Sequence, residues 1–279
     1  MKLNSSMFES IRDALVSSDN NNGGGAADIL KTEVGNTYTV RLVPYMKDPK
    51  KTFFHYFQHG WNSLATGQYV SAISPQTWGE RDPIAETRYK LYRGSDEEKA
   101  LAGKIVRAEK WLVNVYVVND PVTPDNNGKV MILRYGKQLQ KIIANAIDGE
   151  DASDLGPRIF DFTPNGVNLK IVVEKQGDYP TYVSSKFTFP TEVKGVDEDT
   201  HQEILDKAFD LENVFNVKSY NELKEMVDEH IYCVTESEKT DKPVITETKK
   251  AVTVEKPVAV DSNQTDIDAI NQLLDGLDL

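Results

Sequence analysis

Two strongly hydrophobic segments on either side of a turn constrain the fold of this chain more than any other feature. Residues 111–118 read WLVNVYVV and residues 129–135 read KVMILRY. Both are rich in the β-branched and aromatic residues that favour strands. The segment between them is rich in Pro, Asp, Asn and Gly, which is typical of a turn. The pattern predicts two consecutive strands and therefore a fold with a β core.

Other segments predict further strands and single helices around this pair. Strands are expected over residues 38–42, 53–57, 167–174 and 181–189. Helices are expected over 96–108, after Gly136, and over 198–211 and 219–232. Long strands mixed with single helices favour a small barrel with helical additions over a parallel α/β sheet. The predicted class is therefore mainly β with helical additions (α+β).

The two ends of the chain differ from this predicted core, which spans residues 28–235. Residues 1–27 combine a short amphipathic helix around Met7, Ile11 and Leu15 with a linker of Asn and Gly. A helix this short must bury its apolar face, either on its own core or on another molecule. Residues 236–279 lack aromatic side chains and have a disordered composition.

The distribution of charge is the first indication of function. The chain has 279 residues and a formal net charge of −12, which alone argues against nucleic-acid binding. Residues 28–141, however, contain 17 Lys and Arg against 12 Asp and Glu, whereas residues 142–235 contain 8 against 19. The basic segment also contains 14 of the 25 aromatic residues. Because exposed charges are screened beyond roughly 8 Å, the local charge matters more than the total.

Three clusters within the basic segment interleave cations with aromatic rings, as a single-stranded nucleic-acid site requires. They are Arg88, Tyr89, Lys90, Tyr92 and Arg93; Lys104, Arg107, Lys110 and Trp111; and Arg134, Tyr135 and Lys137. The alternative is that these rings belong to the core while the cations form an ordinary solvated face. The single cysteine, Cys233, excludes an internal disulfide. No apolar run reaches the ~18–20 residues of a membrane span, so a soluble, intracellular protein is expected.

Residues 111–147 resemble the single-stranded DNA-binding, helix-destabilising proteins of T-even-type bacteriophages. The matching residues are Trp111, Asn114, Val117-Val118, Asp120-Pro121, Pro124, Asn126, Gly128-Lys129-Val130 and Arg134-Tyr135-Gly136-Lys137. Weaker matches are Val40 to Pro44, His59-Gly60-Trp61, the segment from Tyr179 to Phe187 and the acidic C-terminus. The resemblance is specific in the middle of the chain and patchy elsewhere.

This resemblance implies an OB-fold core, a five-stranded Greek-key barrel, with an inserted subdomain at about residues 58–95. It implies sequence-nonspecific binding of single-stranded DNA during phage replication, recombination and repair, in the cytoplasm of the infected host. It also implies self-association along the strand through the N-terminal arm. The site residues that it implies are Lys110, Trp111, Arg134, Tyr135 and Lys137, with the looser matches Lys104, Arg107, Tyr89, Tyr92, Tyr179, Tyr182 and Phe187.

The family usually binds zinc through one histidine and three cysteines in the inserted subdomain. Here His59 occupies the position of the histidine, but residues 70–90 contain no cysteine. We therefore expect a divergent branch without zinc or any other cofactor, whose subdomain is packed instead by Trp61, Tyr69, Ile73, Trp78 and Ile84.

The acidic tail is expected to recruit replication and recombination proteins. Its apolar residues recur at steps of three and four, which predicts an amphipathic helix once a groove is available. The residues are Asp266, Ile267, Asp268, Ile270, Leu273, Leu274, Asp275, Leu277 and Asp278. The alternative is a frayed, solubilising end.

Two other functions are compatible with the sequence. A metal-dependent nuclease could use Asp120, Asp125 and histidines, although Asp120-Pro121 is more typical of a turn and no P-loop or His-Glu-x-x-His motif occurs. A non-catalytic OB-fold module could instead bind protein or glycan.

Overall fold

The computed structural model describes residues 29–234. The predictions for the arm, residues 1–27, and for the tail, residues 236–279, lie outside the described residues. The described strands are β1 Thr37–Val43, β2 Phe53–Asn62, β3 Tyr69–Ile73, β4 Val106–Asn119, β5 Val130–Tyr135, β6 Leu169–Val172, β7 Glu174–Gln176, β8 Tyr179–Thr181 and β9 Lys186–Phe187. The described helices are α1 Pro83–Tyr92, α2 Asp96–Ala102, α3 Lys137–Asp148, α4 Glu198–Asp206 and α5 Tyr220–His230.

The fold is a mixed assembly of helices and antiparallel sheet. The strand order is β3-β2-β4-β1-β6-β9, with β5 paired to β4, and β7 and β8 form a separate ribbon. The predicted strand pair is confirmed, since β4 and β5 pair in antiparallel register from Trp111 opposite Tyr135 to Tyr116 opposite Val130. The strand path among residues 29–234 is open, so the small barrel expected from the sequence is not closed in this part of the chain.

The chain divides into two compact units, the first formed by residues 29–59, 71–81 and 107–218 of the described part. Its sheet is buried on both faces because β4 alternates two sets of apolar residues. Val113, Val115 and Val117 pack in one cluster with Leu139 and Ile143 of α3. Leu112, on the opposite face, packs in another cluster with Tyr56, Ile132 and Leu211.

The second unit contains residues 60–70, 82–106 and the described chain from Ser219 onward. Its first helix, α1, was not predicted, although Asp82 caps it by accepting hydrogen bonds from the amides of Ile84 and Ala85 at 2.9 and 3.1 Å. Trp61 and Ile84 are buried in this unit, as expected. Tyr69 is 69% exposed, which contradicts its predicted place in the core.

Two other residues expected to pack the inserted subdomain do not lie in the second unit. Ile73 and Trp78 lie in the first unit, where Trp78 remains 40% exposed and its ring centroid lies 6.1 Å from that of Phe54. The packing of the second unit therefore relies on fewer aromatic rings than the sequence suggested.

Two predicted helices were too long. The helix expected over 96–108 ends at Ala102, because the chain turns at Gly103 and β4 begins at Val106. The helix expected over 198–211 ends at Asp206. There the amide and carbonyl of Phe209 bond to the side chain of Asn114, both at 3.0 Å, and so cannot continue a helix.

The remaining boundaries are closer to the predictions. The expected helix after Gly136 is α3, and α5 spans most of the expected 219–232. Within the segment 181–189, only Thr181, which ends β8, and Lys186–Phe187 form strand.

Candidate nucleic-acid interface

A groove of about 590 Å³ lies in the first unit, where β5 ends and α3 begins. Its lining contains four cationic side chains, and no carboxylate is among the described residues that form it. The lining residues are Ile29, Leu30, Lys31, Thr32, Lys110, Arg134, Tyr135, Gly136, Lys137, Gln138, Leu139, Tyr179, Pro180 and Tyr182. We call this the first groove.

Backbone pairing positions the cations of the first groove. The β4–β5 register sets Leu112 opposite Arg134 and thereby brings the preceding Lys110 close to the end of β5. Lys137 follows directly, because Gly136 is the N-cap of α3. Lys31 comes from the start of the described chain, where the amide of Leu30 donates to the carbonyl of Ile132 at 2.9 Å.

The cations of the first groove repel one another. Burial lowers the pKa of Lys110, and the positive charge of Arg134 lowers it further. Burial also raises the pKa of Tyr56 to about 12, against the opposing effect of the same Arg134 charge. Lys137 is partly balanced by Glu109, since their charged atoms are 3.5 Å apart. An anion in the groove would relieve the repulsion between Lys110 and Arg134.

Two tyrosines, Tyr179 and Tyr182, line the groove together with these cations. Tyr179 is 78% exposed, so its ring is available for stacking. The Tyr182 hydroxyl lies 3.1 Å from the Thr32 hydroxyl. Gln138 of α3 fixes the chain at Tyr182, because its Oε1 accepts hydrogen bonds from the Tyr182 amide at 2.7 Å and the Thr181 hydroxyl at 3.3 Å.

A row of aromatic rings leads to the first groove along β2 and β4. The Trp111 ring stacks on His55 at 4.8 Å and on Tyr135 at 6.3 Å between centroids. His55 contacts Phe57 edge-on at 4.9 Å. Tyr135 is only 4% exposed and its hydroxyl donates to Gln140 at 3.1 Å, so it forms the floor of the groove rather than a free stacking platform.

The structure brings together six of the predicted site residues in the first groove: Lys110, Arg134, Tyr135, Lys137, Tyr179 and Tyr182. Trp111 lies beside it through its stack on Tyr135. Arg107 does not line the groove: it is 6% exposed, donates to Gln76 at 3.1 Å and lies 4.4 Å over the Phe57 ring. Phe187 lies in a different groove, described below.

Three other predicted residues belong to the second unit. Tyr89 is covered by the guanidinium of Arg93 at 4.1 Å from its centroid, and Tyr92 by that of Arg88 at 5.4 Å. Lys104 is exposed there. The cluster of alternating cations and rings at 88–93 thus pairs its arginines with its own tyrosines.

Sequence reasoning missed Lys31, Thr32 and Gln138 as lining residues, and His55 as a member of the aromatic row. Lys31 has no aromatic neighbour in the sequence and reaches the groove only through pairing with residues a hundred positions away. His55 could have been predicted as part of an aromatic row, because it lies within the run of aromatic residues at 53–57.

The described residues do not supply the one histidine and three cysteines that bind zinc in the T-even phage proteins. In residues 29–234 no three His, Cys, Asp or Glu side chains form a group that could hold a metal ion. His59 is fully buried, whereas Cys233 is exposed. Asp120, which a nuclease could use, instead holds a turn by accepting from the amides of Val122 and Thr123, both at 2.9 Å. Within the same part of the chain, no helix has the length and apolarity to cross a membrane.

Comparison with known proteins identifies the family. A family model described as gp32 DNA binding protein like matches residues 35–231. Single-stranded DNA-binding proteins from Enterobacteria phage T4 and Enterobacteria phage T2 are each 25% identical to this chain over 194 residues, or 67% of its length. The match spans 62% of each of those relatives. The resemblance seen at residues 111–147 is confirmed, and the chain belongs to the family of gp32-like DNA-binding proteins.

Proposed function

We propose that this chain binds single-stranded DNA without sequence preference, with the first groove as its principal binding site. The observation that carries the proposal is the composition of the groove: Lys31, Lys110, Arg134 and Lys137 line it together with an exposed Tyr179 ring, and no carboxylate is among the described lining residues. Cations neutralise the phosphates of the strand, while exposed rings stack on its bases at ~1–3 kcal/mol each. The family and both relatives support this ligand.

Selectivity for single strands follows from the same arrangement. Base faces become available to Tyr179 only after they leave the duplex stack. A protein that binds only the unpaired strand shifts the pairing equilibrium by mass action, so melting of a duplex requires no catalysis. We therefore propose a binding protein and not an enzyme, built on an OB-fold core without zinc.

The wider role that we propose is coating and protection of single-stranded DNA during phage DNA replication, recombination and repair in the cytoplasm of the infected bacterium. Copies of the chain would associate along the strand. The tail residues from Asp266 to Asp278 would recruit replication proteins through their apolar positions and compete with DNA through their carboxylates. The match spans 62% of each relative, and the tail residues follow the family-model match at residues 35–231.

Tryptophan fluorescence tests the principal proposal, because Trp111 lies beside the groove. Oligothymidylate should quench the emission, whereas a duplex of equal length should not. A salt titration should give a slope of about −2 to −3 in log affinity against log salt, at ~0.7 per phosphate for four groove cations. Equal affinity for duplex and single strand, or none for either, would refute the proposal.

Two further experiments separate this function from the others. Labelled single strands incubated with magnesium should stay intact, whereas degradation would indicate a nuclease. Deletion of residues 261–279 should tighten DNA binding at low salt and abolish capture of replication proteins. A full-length variant with the tail aspartates changed to Asn is the matched control, since it should tighten DNA binding while the apolar positions remain.

A further inference from the structure

A second groove of about 850 Å³ lies farther along α3 in the same unit. Both grooves share two walls, α3 and the chain segment 179–190. The second groove is lined by Ile142, Asn145, Asp151, Asp154, Leu155, Arg158, Val167, Lys170, Ser185, Lys186, Phe187, Thr188, Phe189 and Pro190. Along the helix, Lys137 in the first groove and Asn145 in the second are about 12 Å apart at 1.5 Å per residue.

The second groove contains two lysines that face each other across neighbouring strands. Lys170 of β6 and Lys186 of β9 are directly opposite each other in the antiparallel register, and both are exposed. Like charges directly opposite on neighbouring strands are destabilising. Arg158 lines the same groove, and within residues 29–234 none of these three cations has an ion-pair partner. An anionic ligand would convert this repulsion into binding free energy.

The same groove displays an aromatic ring on a fixed backbone. Phe189 is 91% exposed, yet its carbonyl accepts hydrogen bonds from the hydroxyls of Thr188 and Thr191 at 3.0 and 2.8 Å. The Thr191 amide in turn donates to the carbonyl of Gly166 at 2.8 Å. These hydrogen bonds hold the backbone at Phe189, while its ring is open to solvent. Phe187, half-buried, lies beside it in the lining.

We propose that a single DNA strand leaving the first groove continues along α3 into the second groove, where Lys170, Lys186 and Arg158 bind its phosphates and Phe189 stacks on a base. The inference rests on the proposed function of the first groove and extends its binding site. Three cations outnumber the two carboxylates, Asp151 and Asp154, and both grooves are lined by α3 and by the chain segment 179–190. A strand of nucleotides, which repeats phosphate and base, matches alternating cations and rings better than an acidic peptide does.

The test uses the full chain and two lengths of oligothymidylate, of about 4 and about 12 nucleotides, within the range of site sizes for such proteins. The variants are Lys170→Gln with Lys186→Gln, and separately Phe189→Ala. The matched controls are Lys194→Gln with Lys218→Gln, which are exposed lysines outside both grooves, and Phe189→Tyr, which keeps a ring. All the substituted side chains are exposed, so the substitutions should not affect folding. Thermal unfolding of each variant checks this.

We expect the double lysine variant to bind the longer strand at least tenfold more weakly at low salt, with a salt slope shallower by about 1.4. Phe189→Ala should also weaken binding of the longer strand, by about tenfold, and Phe189→Tyr should restore it. Neither variant should change binding of the shorter strand. If both bind the longer strand as the wild type does while Arg134→Gln weakens binding of both lengths, the inference is overturned and the proposed function stands. If the wild type binds neither length, the proposed function itself has failed.

Discussion

The buried guanidinium of Arg41 donates a hydrogen bond to the backbone carbonyl of Thr191 at 2.8 Å. Arg41 belongs to the central strand β1, whereas Thr191 closes the loop that carries Phe189. Arg41 also donates to the side chain of Asn168 at 2.8 Å and to the carbonyl of Asp161. One core side chain thus connects three segments around the second groove.

Replacement of Arg41 by Met should destabilise the protein by about 3 kcal/mol or more. The change removes three hydrogen bonds and leaves their acceptors at Asp161, Asn168 and Thr191 without a donor. Urea unfolding measures the effect, with Arg134→Met as an exposed control that should stay within about 0.5 kcal/mol of the wild type. Equal stability of the two variants would show that the hydrogen bonds of Arg41 do not hold these segments.

The cations of the first groove should contribute unequally to binding. Arg134→Gln should weaken single-strand affinity strongly and make the salt slope shallower by about 0.7. Lys137→Gln should have a smaller effect, because Glu109 already lies 3.5 Å from its ammonium group. Fluorescence titration of both variants, with Lys194→Gln as the control, ranks them. The reverse order would contradict the electrostatic description of the groove.

Binding should depend on the protonation of Lys110. Burial and the Arg134 charge lower the pKa of Lys110 in the free protein, while a bound phosphate raises it. Affinity is therefore complete below the pKa of the free protein and falls as the pH rises through it. Titration with oligodeoxyadenylate between pH about 7 and about 10 should show this loss below the range of an ordinary lysine. The Lys110→Arg variant stays charged over this pH range, so its affinity should not fall in the same way. If the wild type and this variant show the same dependence of affinity on pH, Lys110 is not the group whose protonation controls binding.

Chelation should leave the folded state intact. In the described residues no group of side chains can hold a metal ion, and the second unit buries Trp61 and Ile84 instead. Thermal unfolding with and without EDTA should give the same midpoint, whereas Trp61→Ala should lower it. A structural zinc contributes about 10 kcal/mol or more, so a midpoint that falls with chelator and recovers with zinc would disprove this expectation.

Local patterns predicted the elements nearest the site, and distant contacts determined the rest. The β4–β5 pair and α3 were predictable because apolar alternation, a turn and helical spacing all lie within residues 111–147. Lys31 was not predictable, because a backbone pairing with Ile132 brings it to the groove. Arg107 looked like a surface cation, but Gln76 and the Phe57 ring enclose it, and neither is near it in sequence.

The ends of two helices were also determined by distant contacts that local sequence patterns do not show. The spacing of apolar residues beyond Ala102 is compatible with a helix and with a strand. Pairing with neighbouring strands makes the chain from Val106 onward the strand β4. Beyond Asp206, the reciprocal bonds between Asn114 and Phe209 decided where the chain leaves the helix. In both cases a tertiary contact overrode a local preference, which a single sequence does not reveal.

Gln138 gives the first groove one more property. Its amide oxygen accepts hydrogen bonds from Thr181 and Tyr182, so the distance between these residues and α3 is fixed before any ligand binds. Docking then requires no slow rearrangement of the receptor. The rate of capture should rise linearly with DNA concentration, and the protein should keep pace with strands that are exposed only briefly.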